Sequence, residues 1–272
     1  DEQGVPLNDI TTERPSQKKE QIFIIEDQQI MQHDFVTIKS KDSDFLQKIR
    51  IPLLPIRYIN IPRPPPFENA IRSYEHEDKI NPPPEGAVLF IGSSSIRRWY
   101  NLENDMKGIE VINRGFGGST ATDALRYIHR IVLPYKPSKI IYYEGDNDIA
   151  RGISPQNFID STWKFIQIVR KQLPETRIYL LSVKPCPQRI HIWDTYASAN
   201  RMLEELAENT QKVYFIDVAS AMFDENGRLK QDIFVADGVH MNDMGYEIWT
   251  KLIREKLKKH QNRNMETGVI MK

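Results

Sequence analysis

Ala87-Val88-Leu89-Phe90-Ile91-Gly92-Ser93-Ser94-Ser95 sets five consecutive apolar residues ahead of a glycine and three serines. An unbroken apolar run following Pro82-Pro83-Pro84 is what a strand covered on both faces needs, because neither face meets water. Glycine then allows a tight turn. A serine in that turn can project beside the amide hydrogens of a following helix. The same pattern recurs downstream. Residues 109–113, 139–144, 177–183 and 213–218 read as further strands. Helical patterns lie between and around them, at 68–79, 120–132, 196–208 and 245–259. Another helix opens with Ser154 as N-cap and Pro155 in its first position, and stops at Leu173-Pro174. Strands alternating with helices predict a parallel sheet with helices on both faces. Ligands of such sheets bind beyond the carboxyl ends of the strands.

Working outward, residues 1–66 have another character. Two β-prone runs, 22–25 and 35–38, are followed by residues 48–66, in which Pro52, Pro55, Pro62, Pro64, Pro65 and Pro66 forbid a helix or a central strand. The region reads as an N-terminal extended arm or small β-rich extension; 67–262 is the main domain and 263–272 a C-terminal tail. Lys and Arg together number 37, as do Asp and Glu, so the formal net charge is zero. That balance gives no reason to expect nucleic acid as a partner. No apolar run reaches the roughly 18 residues of a membrane span. The single cysteine, Cys186, has no internal disulfide partner and no metal-ligand spacing. The chain begins at Asp1, which sets up an expectation of export to the periplasm, the cell envelope or the medium after signal-peptide removal; the cytoplasm is the alternative.

Four expected strand ends carry candidate chemistry. The first presents Ser94. The second is followed by Asn113-Arg114-Gly115-Phe116-Gly117-Gly118, where glycine lets backbone N–H groups approach a ligand. The third leads into Glu144-Gly145-Asp146-Asn147-Asp148; the Asn147 amide can donate to a developing oxyanion, and the acids can cap a helix or hold a cation. Near the C-terminus, Asp237-Gly238-Val239-His240 sets a carboxylate three residues before a histidine, close enough to fix the ring tautomer and free the other nitrogen as a base. Nucleophile, glycine amide, amide side chain and Asp/His pair are the parts of an acyl-transfer site.

With these blocks in order, residues 67–259 resemble the SGNH hydrolases, also called the GDSL esterase and lipase family. Gly92-Ser93-Ser94 matches the first block, Asn113-x-Gly115-x-x-Gly118 the second, Gly145-x-Asn147-Asp148 the third and Asp237-x-x-His240 the last. Ser93 stands where the usual Gly-Asp-Ser has aspartate, outside the triad. The segments Phe90 to Trp99 and Asn113 to Gly118 are most similar to a bacterial acylhydrolase or acetylesterase branch.

The resemblance implies a three-layer α/β/α sandwich of flavodoxin-like SGNH type, with a mostly parallel five-stranded sheet. It also implies a triad of Ser94, Asp237 and His240, an oxyanion hole from the N–H groups of Ser94 and Gly118 and the Asn147 amide, and no metal or organic cofactor. The expected activity is serine-dependent hydrolysis of a small-molecule or glycan ester, removing a short acyl group such as acetyl from a carbohydrate or other small alcohol. The alternatives are a lysophospholipase- or thioesterase-type acylhydrolase and a non-catalytic carbohydrate- or envelope-binding protein on the same fold. A metal-dependent phosphoesterase using Glu144, Asp146, Asp148, Asp237 and His240 is disfavoured on the expectation that 144, 146 and 148 alternate along a continuing strand. Trp99, Tyr100, Trp193 and Tyr196 are the aromatics read as either sugar contacts or packing.

Overall fold

The computed structural model describes residues 35–39, 46–50 and 65–269. The expected strand at 22–25 and most of the proline-rich connector lie outside the described residues. The chain divides into two units, residues 1–63 and 64–272. In the first, β1 (Phe35–Lys39) pairs antiparallel with β2 (Leu46–Arg50), Phe35 opposite Arg50 and Lys39 opposite Leu46. Residues 48–50, read from sequence as the start of the connector, belong to β2.

In the second unit the order is α1 (Glu68–Ile80), β3 (Val88–Gly92), α2 (Ser94–Arg97), α3 (Leu102–Asp105), β4 (Val111–Gly115), α4 (Ala121–Ile131), β5 (Lys139–Tyr143), α5 (Asp146–Ala150), α6 (Pro155–Gln172), β6 (Arg177–Leu181), α7 (Trp193–Glu208), β7 (Val213–Ile216) and α8 (Asp243–Val269). The sheet runs β4-β3-β5-β6-β7, and all its pairings are parallel. The fold is therefore the expected α/β architecture, with a sheet wholly rather than mostly parallel. Helix α8 is described through Val269, past the expected boundary at 262.

The two faces follow from the alternation of side chains along each strand. Leu89 and Ile91, Ile140 and Tyr142, and Ile178 and Leu180 enter one core, with Ala124 and Ile128 of α4, Phe165 and Val169 of α6, and Leu203 of α7. Val88 and Phe90, Ile141 and Tyr143, and Tyr179 and Leu181 enter the other, with Trp249, Ile253 and Leu257 of α8 at one-turn spacing. Local signals set the helix starts. Ser154 Oγ accepts from Asn157 N ahead of Pro155, and Thr120 with Asp123 forms a capping box at α4.

Strand β4 lies two residues later than expected. Gly115, read as turn, is its last residue because α2 crosses so closely that a Cβ there would lie 2.3 Å from Arg97 N. From β3 the chain goes to one neighbour, β4, and then crosses back to β5 on the other side. That reversal opens a crevice at the carboxyl ends of β3 and β5.

Candidate active site

The crevice is built from the turn after β3. A Cβ on Gly92 would lie 2.0 Å from Tyr143 O, so only glycine allows the strand to end against its neighbour here. The three serines that follow have different surroundings. Ser93 is buried and donates to Asp146 Oδ1 at 3.2 Å. Ser95 is buried, its hydroxyl without a hydrogen-bond partner among the described residues. Ser94, first residue of α2, is half-buried and alone of the three faces the crevice. Its Oγ lies 2.9 Å from His240 Nε2.

Asp237 to His240 is a self-closed loop. Asp237 Oδ1 accepts from the N–H groups of Val239 and His240, both at 2.9 Å, and Oδ2 lies 2.6 Å from His240 Nδ1. Partial burial raises the Asp237 pKa, but the His240 amide and ring and the Val239 amide outweigh it and hold the carboxyl well below its usual range. The group is therefore ionised at any pH at which the imidazole can act as a base. Lys184, buried in the segment after β6, clamps the loop by donating from Nζ to Val239 O at 2.6 Å. Burial pushes its pKa down.

The amide donors come from the turns that follow β3, β4 and β5. The N–H groups of Ser94 and Gly118 donate to no described residue. Gly118 has φ +88°, a conformation glycine adopts without strain, and Arg151 Nη2 donates to its carbonyl at 2.7 Å. A Cβ on Gly117 would stand 3.7 Å from Ser94 Cβ, which places the glycine loop beside the nucleophile candidate. Asn147 is buried; its Nδ2 donates to Ser119 O at 3.0 Å, leaving a second hydrogen, and its Oδ1 accepts from Arg189 Nη2 at 3.3 Å. Asn113 ties β4 to α2, with Nδ2 donating to Ile96 O and Oδ1 accepting from Gly115 N.

The structure thus brings Ser94, His240 and Asp237 into one hydrogen-bonded line, with Gly118 on a loop at its side and Asn147 tied to that loop through Ser119. Sequence reasoning missed the braces: Lys184, Arg151, Arg189 and the Ser93–Asp146 bond. Ser93 and Asp146 stood in blocks noted for other reasons; Lys184, Arg151 and Arg189 join elements far apart in the sequence.

One expectation is corrected. Strand β5 ends at Tyr143, so Glu144 lies in a loop and Asp146 and Asp148 in the first turn of α5; they do not alternate along a strand. Glu144 is buried and accepts from Ser119 Oγ at 2.6 Å, and burial, with Asp148 nearby, pushes its pKa well up. Asp148 accepts from Ala121 N and Gly145 N, and burial pushes it up to about 6. Among the described residues no group of three or more His, Cys, Asp or Glu is placed to hold a metal ion. Of the aromatics, Trp99 and Tyr196 are core: Trp99 stacks on Tyr246, and Tyr196 donates to Asp146 O. Trp193 packs on Phe223 in an open groove of about 610 Å³ that His191, Asp194, Arg228 and Gln231 also line. No helix among the described residues is long and apolar enough to cross a membrane.

Comparison with known proteins finds the same fold elsewhere. A Streptococcus pneumonia protein, provisionally described as a platelet activating factor, superposes with a TM-score of 0.63 at 25% identity, over 70% of this chain and 92% of that one. A GDSL-like lipase from Bacteroides thetaiotaomicron gives 0.61 at 24%, over 70% and 98%. A catalytic mutant of an acetylxylan esterase from Geobacillus stearothermophilus gives 0.52 at 18%, over 63% and 93%, a likeness of fold. Among curated proteins, the N-acylneuraminate cytidylyltransferase of Escherichia coli O18:K1:H7 is 29% identical over 181 residues, 63% of this chain; the match spans only 40% of that relative's length. Residues 91–248, from the end of β3 into α8, match the model of the GDSL-like Lipase/Acylhydrolase family, and the chain belongs to that family of carboxylic ester hydrolases.

Proposed function

We propose that the chain hydrolyses short acyl esters, acetyl first among them, of a carbohydrate or other small hydroxyl compound through a serine acyl-enzyme. The observation that carries this reading is the continuous line Ser94 Oγ–His240 Nε2, His240 Nδ1–Asp237 Oδ2, at 2.9 and 2.6 Å. As Ser94 Oγ bonds to the ester carbonyl carbon, its proton passes to His240 Nε2, and Asp237 balances the imidazolium. The negative charge moves to the carbonyl oxygen, where the N–H groups of Ser94 and Gly118 and the second Asn147 amide hydrogen receive it. The tetrahedral adduct collapses by breaking the bond to the alcohol oxygen, which takes the proton from His240. Water then repeats the sequence on the acyl-enzyme, regenerating Ser94 and releasing the acid.

Two observations support a small acyl group on a polar alcohol. Four charged side chains, Arg97, Arg98, Arg151 and Asp237, stand around Ser94, a poor setting for a long acyl chain. The groove with Trp193 offers an aromatic face beside planar polar groups, the surface on which a sugar ring packs. It opens on the segment whose Arg189 contacts Asn147.

The test is Ser94→Ala against a nitrophenyl acetate, with intact-protein mass spectrometry after a serine-directed phosphonate. The expected result is loss of turnover and of the covalent adduct in a folded protein. Retained turnover above a few per cent of wild type would move the nucleophile away from Ser94. A series of acyl chain lengths separates acetylesterase from lysophospholipase- or thioesterase-type activity.

A further inference from the structure

The chain has no net formal charge, yet guanidinium groups crowd the surface around Ser94. Arg97 and Arg98 leave α2 within a turn of the serine, and both are exposed. Arg97 Cδ and Ser94 Cβ each lie 3.7 Å from the point a Cβ on Gly117 would occupy, so the arginine stem runs alongside the nucleophile candidate. The Arg97 guanidinium has no hydrogen-bond or ion-pair partner among the described residues. Arg98 Nη1 reaches Asp237 Oδ2 only at 3.5 Å, and that oxygen is already held at 2.6 Å by His240. Arg151, also exposed, uses one donor on Gly118 O and keeps the rest.

Little nearby neutralises them. The Asp237 carboxylate is shared with His240. Asp146 is buried under its bond from Ser93. Glu144 and Asp148 are buried below, Glu144 accepting from Ser119 Oγ and Asp148 from the N–H groups of Ala121 and Gly145. Three exposed forks therefore stand around the reacting centre, and the Asp237 carboxylate beside them is already engaged by His240. A guanidinium fork matches the two oxygens of a carboxylate or phosphate, and clustered like charge draws such ions to the crevice.

We propose that Arg97, with Arg98 and Arg151 beside it, forms an anion subsite at the mouth of the crevice, so that the preferred esters carry a carboxylate or phosphate a few bonds from the scissile carbonyl. The inference rests on the esterase reading and names the substrate class of that same site.

The experiment uses the full chain and two matched pairs: O-acetyl lactate against O-acetyl lactamide, and acetylglycerol phosphate against acetylglycerol. Wild type should show the higher kcat/KM on the anionic member, and the pair with the larger ratio identifies carboxylate or phosphate as the ligand. Arg97→Gln should lower the anionic-to-neutral ratio by about tenfold, the scale of one charge-assisted hydrogen bond. Arg97→Lys should fall between, keeping the charge but not the fork. The wild-type ratio, which needs no variant to fold, should also decline in about 1 M salt, where the Debye length is about 3 Å. Equal kcat/KM within both pairs, or an Arg97→Gln loss that is the same for charged and neutral members, overturns the subsite and leaves the esterase reading in place. If wild type hydrolyses none of the four esters nor a nitrophenyl acetate, the esterase reading itself has failed and the subsite falls with it.

Discussion

Asp237→Asn isolates the most particular feature of the site. In the native loop one carboxylate oxygen, Oδ1, accepts two backbone N–H groups while the other, Oδ2, accepts from His240 Nδ1. Asparagine can keep its carbonyl oxygen on the two amides, so the loop stays closed and the fold is preserved. Its NH2 then faces Nδ1, which must turn acceptor. The ring proton is forced onto Nε2, the nitrogen 2.9 Å from Ser94 Oγ, and a protonated Nε2 cannot take the serine proton. Losing the working tautomer lowers turnover by about 10⁴ in triads of this kind, about 5.5 kcal/mol on the barrier. The assay is kcat on a nitrophenyl acetate, with thermal melting run on the same samples. A folded Asp237→Asn protein whose kcat stays within about tenfold of wild type would refute the tautomer argument and leave Asp237 as a loop closure only.

Gly118→Ala separates backbone geometry from space: the added methyl meets nothing nearer than Arg151 Nη2 at 3.6 Å, but φ +88° is strained for alanine, so the N–H should turn away and kcat fall by about 10²–10³; unchanged kcat would remove this N–H from the oxyanion hole. Trp249→Ala empties the core between Trp99 and Tyr143 and should cost about 3–5 kcal/mol, lowering the melting temperature by roughly 10 °C; a drop of only a degree or two would contradict the packing described. Glu144→Gln tests a buried acid by pH. Burial pushes its folded pKa well up, so it favours folding at low pH, and that contribution is lost as pH rises from the ordinary carboxylate value through the raised folded one. Melting followed from pH 5 to pH 8 should show Glu144→Gln gaining on wild type as pH rises, and parallel curves would sink the idea. The depressed Asp237 acts in the opposite sense, below the ordinary carboxylate pKa, and does not enter that window.

Local chemistry was legible in the sequence. Ser154 and Pro155 start α6 as expected because an N-cap and a proline act on their own turn, and the 87–91 run and its successors are strands because burial on two faces demands uninterrupted apolar residues. The Asp237–His240 pairing could be read for the same reason: its bonds span three residues. Tertiary structure decided what distance along the chain hides. By local pattern alone three adjacent serines are equivalent, and only the resemblance singled out Ser94. Packing buries Ser93 and Ser95 and leaves Ser94 to meet a histidine 146 residues away. The end of β4 depended on how closely α2 crosses Gly115, and the standing of Trp99 and Tyr196 on which side of the sheet they reached. Lys184 on the Val239 carbonyl, Arg189 on Asn147 and Arg151 on Gly118 join elements that no local pattern connects. Capping and periodicity are short-range and are written into neighbouring residues, whereas a brace exists only once the sheet has brought its loops to one edge.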